Sequence, residues 1–92
     1  MSRLLMASPA KMMHAVADYL KKNGTLYDTE KSDIDTYQME IKGLSVAATF
    51  MGEGLARIDF GADSSYSIEG EDVYLESGDI AILPAIYHSL FD

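Results

Sequence analysis

Apolar side chains recur at helical spacing near the start of the chain. At about 100° per residue, Met12, Met13, Val16, Ala17, Tyr19 and Leu20 gather on one side, while Lys11, His14, Asp18, Lys21 and Lys22 fall opposite. Both ends are marked as well. Ser8 is placed to cap the N-terminus and Pro9 to take the first helical position, where a missing N–H is harmless; Lys21 and Lys22 fall in the last turn and Gly24 follows. The pattern predicts a surface helix over residues 8–24 with one buried face. Residues 25–35 (TLYDTEKSDID) lose this periodicity and read as a loop, or as a short strand followed by a loop.

After Thr36 the period changes to two. Tyr37, Met39 and Ile41 alternate with Gln38, Glu40 and Lys42; Leu44, Val46, Ala48 and Phe50 follow; Ala56, Ile58 and Phe60 alternate with Arg57 and Asp59. Tyr66 and Ile68 continue the series, then Val73 and Leu75 between Asp72, Tyr74 and Glu76, and finally Ile80 and Ile82. Gly43, Gly52, Gly54, Gly61, Gly70 and Gly78 separate the runs where tight reversals belong. Because Pro84 has no N–H to donate to a ladder, the last strand is expected to end near Leu83. The tail AIYHSLFD is then an edge extension or a short helical turn.

Together these elements predict a single α+β domain over residues 1–92. Its N-terminal amphipathic helix packs on a five- to six-stranded antiparallel meander sheet, with the acidic alternate positions facing outward. A meander curled into a small barrel is the competing architecture.

With 92 residues and 48% hydrophobic content, the chain suits one thin core. Having no cysteine, it has no disulfides, thiolate zinc sites or thiol nucleophiles, and a reducing, cytoplasmic location is the expectation. The opening run MSRLLMASPAK is interrupted by Ser8 and Pro9 before a signal-peptide core forms, and no segment reaches the roughly 18 to 20 apolar residues of a membrane span.

Charge adds an asymmetry. The formal net charge is −8, and all of it belongs to residues 43–92, where Arg57 alone faces Glu53, Asp59, Asp63, Glu69, Glu71, Asp72, Glu76, Asp79 and Asp92. In residues 1–42 acidic and basic side chains balance. That distribution disfavours direct binding of nucleic acid or an anionic membrane and favours a basic partner. A winged DNA-binding unit built on the lysines of the helix would also need a second, recognition helix, which the pattern does not offer.

The residues offer little chemistry. His14 and His88 are the only histidines and have no co-ligands for a zinc set, so no metal and no cofactor is expected. His14 precedes Asp18 by one turn and reads as an exposed pair. The string SGDIAILPAIYH resembles in part the second cupin signature, with Gly78 and Pro84 in place. Ile86 stands where that turn has glycine, His88 arrives one residue early, and the His-rich first motif is missing, so the string reads as strand grammar. Asp28, Glu30, Asp33 and Asp35 lack the central glycine and closing glutamate of a calcium loop. The glycines of MGEGL precede a strand and open no helix for a phosphate. No serine has a base in view, and no catalytic residue is assigned.

What remains is a non-catalytic protein-binding domain, most specifically an acidic inhibitor or regulator of a nucleic-acid-handling protein such as a nuclease, restriction system or CRISPR effector. Glu69, Glu71, Asp72, Glu76 and Asp79 are the residues expected to meet the partner's basic surface. Acidity serving solubility alone is the plain alternative. Two other readings stand beside it. A barrel-like ligand-binding protein or enzyme would show a cavity near Tyr87 and His88. A self-associating assembly subunit, a homo-oligomer, would expose an apolar patch of Leu83, Ile86, Leu90 and Phe91.

Overall fold

The computed structural model describes residues 4–5, 10–27 and 34–91. In chain order its elements are β1 (Leu4–Leu5), α1 (Ala10–Asn23), β2 (Thr25–Tyr27), β3 (Asp35–Ile41), β4 (Leu44–Gly52), β5 (Leu55–Phe60), β6 (Ser64–Glu69), β7 (Asp72–Ser77) and α2 (Ile82–Phe91). Helix α1 follows from its periodicity: Met13, Val16, Ala17 and Leu20 are buried, and Lys11, His14, Asp18, Lys21 and Lys22 are exposed. The helix closes on polar contacts. The Asn23 side-chain amide donates to the Tyr19 carbonyl at 3.0 Å and the Gly24 N–H to the Leu20 carbonyl at 2.7 Å, satisfying carbonyls that the last turn leaves without intrahelical donors. The start signals Ser8 and Pro9, and residues 28–33 of the acidic loop, lie outside the described residues.

The sheet order is β1-β7-β6-β5-β4-β3-β2. Strands β2 to β7 therefore form a six-strand antiparallel meander, and β1, which the sequence pattern did not mark, pairs with the outer edge of β7 through Leu4↔Leu75 and Leu5↔Tyr74. Because β1 and β2 lie on opposite edges, the sheet is open and the barrel alternative is set aside. The register lines up Tyr37, Ala48, Ile58, Tyr66 and Leu75 in one cross-strand row on one face. A period of two sends every other residue to the opposite face, so the row beside it is Thr36, Thr49, Arg57, Ser67 and Tyr74.

The β3–β4 connection is a two-residue turn, Lys42–Gly43, with φ of 51° and 78°. Positive φ at both central residues is the type I′ geometry that matches strand twist and favours Asn-Gly. Lysine is strained there. Replacing Lys42, which is exposed, with Asn is expected to raise stability by about 0.5–1 kcal/mol, read as a Tm increase of a few degrees in a thermal melt.

The apolar face of the sheet is covered by both helices. α1 lies against β2, β3, β4 and β7, and α2 lies beside α1, where Tyr19 and Phe91 meet edge to face at 5.8 Å. The core joins Met13, Val16 and Leu20 of α1 to Val46, Ile58, Phe60, Tyr66, Ile68 and Val73 of the sheet and to Leu83 and Ile86 of α2.

Helix α2 corrects the expectation for the end of the chain. Ile80 is exposed in a turn, Ile82 opens a helix, and the run to Phe91 is a full ten-residue helix, so the strand ending near Leu83 is not present. Pro84 is its third residue. A proline is tolerated there because the N–H groups of a first turn have no intrahelical acceptor. Leu83 and Ile86 are buried and Leu90 is half-buried, so the apolar patch expected of a self-associating subunit is largely spent inside this domain, with Phe91 its exposed end. No helix among the described residues is long and apolar enough to cross a membrane.

Candidate acidic sheet face and its recess

With both helices on one side, the other face of the sheet carries the polar alternate positions. Glu40 of β3, Asp59 of β5, Glu69 of β6, and Asp72 and Glu76 of β7 all belong to it, with Arg57 as its central cation. Between the acids the side chains are small or neutral. Thr36 and Thr49 bring their hydroxyls to 3.3 Å, and Gln38 donates to Ser45 at 2.8 Å. Arg57 Nε donates to Asp59 Oδ1 at 3.1 Å along one strand, with both side chains open to solvent, which makes the pair worth little in stability but ties the cation to an acid. Ser65 is buried on this face, and its hydroxyl has no hydrogen-bond partner among the described residues.

Two irregularities in register shape the face. Phe50 pairs with Ala56 and Gly52 with Leu55, leaving Met51 as an extra residue of β4. Tyr66 pairs with Leu75 and Ser65 with Ser77, leaving Glu76 as an extra residue of β7. A bulge of this kind bends its strand and re-aims side chains that strict alternation would place elsewhere. Between the two bulges lies a recess of about 510 Å³ lined by Met51, Leu55, Arg57, Ser67, Glu69, Glu76 and Ser77, together with Ile68 of the same strand. Met51 and Leu55 are exposed at its apolar side, and the Ser67 hydroxyl donates to Glu76 Oε2 on its acidic side.

The expected partner-facing residues separate into two places. Glu69 and Asp72 are cross-strand partners that flank the β6–β7 turn, Glu71 sits in that turn, and Glu76 lies further along β7 in the recess. Asp79 is not with them. It stands at the opposite end of β7, where all its polar groups serve the entry to α2: its N–H donates to Ser64 Oγ at 3.2 Å, its carbonyl accepts from the Tyr66 hydroxyl at 2.6 Å, and its carboxylate accepts from the Ala81 N–H at 2.9 Å. Tyr66 Oη in turn accepts the Leu83 N–H at 3.3 Å, meeting one of the donors a helix start leaves open. Burial pushes the Tyr66 phenol above its ordinary value of 10.0, with the Asp79 charge acting in the same direction and the backbone bonds from Leu83 and Ile82 opposing. Asp79 thus helps to start α2 and stands apart from the other four acids, although it is exposed as they are expected to be.

His88 lies exposed on α2 with its ring 5.4 Å from that of Tyr87, and SGDIAILPAIYH runs from a turn into a helix, so the cupin-like string has no strand behind it. The recess is on the far side of the sheet from that helix. Among the described residues, no three histidine or acidic side chains are grouped to hold a metal ion. A second helix does exist, contrary to the reading that set the winged DNA-binding unit aside, but α2 (ILPAIYHSLF) contains no lysine or arginine to meet a phosphate.

The chain matches no protein-family model, no curated protein and no solved structure. Its class therefore rests on its own geometry, that of a two-layer α+β domain with two helices on one face of an open antiparallel sheet and an acidic second face. Sequence reasoning reached the acids of that face but missed Met51, Leu55, Ser67 and Ser77 as neighbours in one recess. The available signal was two slips in the alternation, at Phe50-Met51 and at Glu76-Ser77.

Proposed function

We propose that this chain is a non-catalytic binding domain that sets its open sheet face against a basic groove of a nucleic-acid-handling protein and inhibits or regulates it there. The observation that carries this reading is the placement of Glu40, Asp59, Glu69, Asp72 and Glu76 on one face that neither helix covers, with Arg57 the only basic residue among the face's described positions and already tied to Asp59. Acids spread over one surface act in concert on a basic partner, raising the encounter rate and disfavouring nucleic acid as a ligand. Small Ser, Thr and Ala side chains among the acids also let a partner surface approach the sheet closely.

The test compares location at constant total charge. One variant carries Glu40→Lys, Glu69→Lys and Asp72→Lys on the sheet face; the other carries Asp18→Lys, Glu53→Lys and Asp63→Lys, all exposed on the helix or in turns. Against a purified partner, the first is expected to slow association by about tenfold or more, and the second to leave it close to the parent rate. The parent rate itself is expected to fall as salt shortens the Debye length from about 30 Å at 0.01 M to about 8 Å at physiological strength. Equal losses in the two variants, or none in either, would reduce the acidic face to a solubility feature.

A further inference from the structure

We infer that Met51 and Leu55 are the apolar anchor point of the partner surface, and that their occupant is a leucine-sized apolar side chain flanked by basic residues of a protein partner. This rests on the reading of the sheet face as the partner surface and names what holds the partner once it arrives. Both residues line the recess of about 510 Å³, a volume within the roughly 300–1,000 Å³ of ordinary ligand sites. Its polar side is already in use. Ser67 donates to Glu76, and Ser67, Glu69 and Glu76 each take part in further interactions within the chain. Met51 and Leu55 are the opposite case. They stand 43% and 42% exposed on the two strands of the β4–β5 hairpin, where Leu55 pairs with Gly52, the residue after Met51, and their apolar surface remains open to solvent.

The surroundings decide what kind of partner brings that side chain. The β4–β5 turn carries Glu53, the β6–β7 turn carries Glu71, and Asp72 opens β7; all three are exposed. The two turns are neighbours. The Gly70 N–H donates to the Gly54 carbonyl at 2.8 Å, which fixes the acids of one turn beside those of the other. Arg57, the one cation among the described positions of the outer face, is held by Asp59 at 3.1 Å. An apolar centre inside a charged rim is the anatomy of a protein interface, in which the desolvated centre holds the complex and the rim steers the encounter. The sign of the rim selects the partner. A second copy docked through the same patch would set Glu53, Glu71 and Asp72 against their own counterparts, whereas a basic surface meets them favourably. Because Gly54 and Gly70 tie the turns together, the patch is formed before the partner arrives, which lowers the ordering cost of binding.

The test uses the isolated protein and three acetylated, amidated pentapeptides, Lys-Lys-Leu-Lys-Lys, Lys-Lys-Ser-Lys-Lys and Glu-Glu-Leu-Glu-Glu, titrated into ¹⁵N-labelled protein. The leucine peptide with lysine flanks is expected to give saturable amide shifts centred on residues 51–55 and 70–72. The serine peptide should bind about tenfold more weakly, and the glutamate peptide should leave the signals unmoved. Met51→Ser and Leu55→Ser should each weaken the leucine peptide by about fivefold or more and leave the serine peptide unchanged. Leu26→Ser is the control. Leu26 is 51% exposed but pairs with Tyr37 on the face that carries the helices, so its loss should not alter binding. Retained dispersion of the remaining signals shows that each variant is folded. Equal affinity for the leucine and serine peptides, shifts as large at Glu40 and Asp59 as at the two turns, indifference to both serine variants, or no response to the leucine peptide would overturn the anchor. The leucine and serine peptides carry the same charge, so the difference between them is separate from the sheet-face reading, which the charge-reversal comparison against a purified partner judges alone.

Discussion

Leu20→Asp is expected to abolish folding, while Lys22→Asp, two residues along the same helix, is expected to leave a cooperative melt. Leu20 is fully buried among the residues that join α1 to the sheet. The substitution removes about 1.5–3 kcal/mol of apolar burial and places a carboxylate where no partner is provided, at a cost of several kcal/mol more. A domain of this size has roughly 5–14 kcal/mol to lose, and its thin core puts it at the lower end. Lys22 is exposed in the last turn, where an acid meets the negative end of the helix dipole and costs only about 0.3–1 kcal/mol. Far-UV circular dichroism during heating distinguishes the two. Similar losses at both positions would mean that α1 presents a different face to the sheet.

Gly78→Ala is expected to be nearly as damaging, although the change is a single methyl group. Gly78 has φ of +88°, and a Cβ there would lie 2.5 Å from the Asp63 carbonyl oxygen and 2.5 Å from Ser64 Cα, and closer still to Ser64 Oγ. The positive φ alone costs an L-residue about 1–2 kcal/mol. Contact with backbone atoms adds to this, because the β5–β6 turn must move and Ser64 Oγ must give up the Asp79 N–H that helps to start α2. A total loss of about 3 kcal/mol or more corresponds to a Tm drop of roughly 12 °C or more. The control is Gly43→Ala, whose φ of +78° is similar but whose Cβ would meet nothing within 4 Å, so that only the conformational part remains. Equal Tm losses in the two variants would show that the close approach at Gly78 contributes nothing.

The proposed partner surface depends on the same junction. Ser77, the residue before Gly78, lines the recess and pairs with Ser65 across the β7 bulge. A displaced β7 end therefore changes the recess as well as the core, which is why Gly78→Ala is read by stability alone.

Local periodicity by itself determined α1 and strands β3 to β7, because a side chain's direction on a helix or strand is set by its position in the repeat, and burial follows direction. Tyr37, Met39 and Ile41 face the helices and Gln38 and Glu40 face away for that reason alone, and the placement of acids on the outer face follows from the same count. The concentration of negative charge in the second half was likewise visible without coordinates. Tertiary structure decided what depends on partners distant in sequence. Residues 82–91 are apolar nearly all round and contain a proline, so their pattern does not separate helix from strand; they are helical because Tyr66 and Asp79 supply the first turn with hydrogen bonds and α1 supplies a surface for Leu83 and Ile86. Asp79 was expected among the partner contacts for its charge, and only the fold shows that charge turned to the start of α2. The recess was hidden for a related reason: alternation puts Met51, Leu55, Ser67 and Glu76 on the outer face, but their nearness to one another, and the turn of Ser77 onto that face after the bulge at Glu76, depend on cross-strand register that no repeat within one strand records.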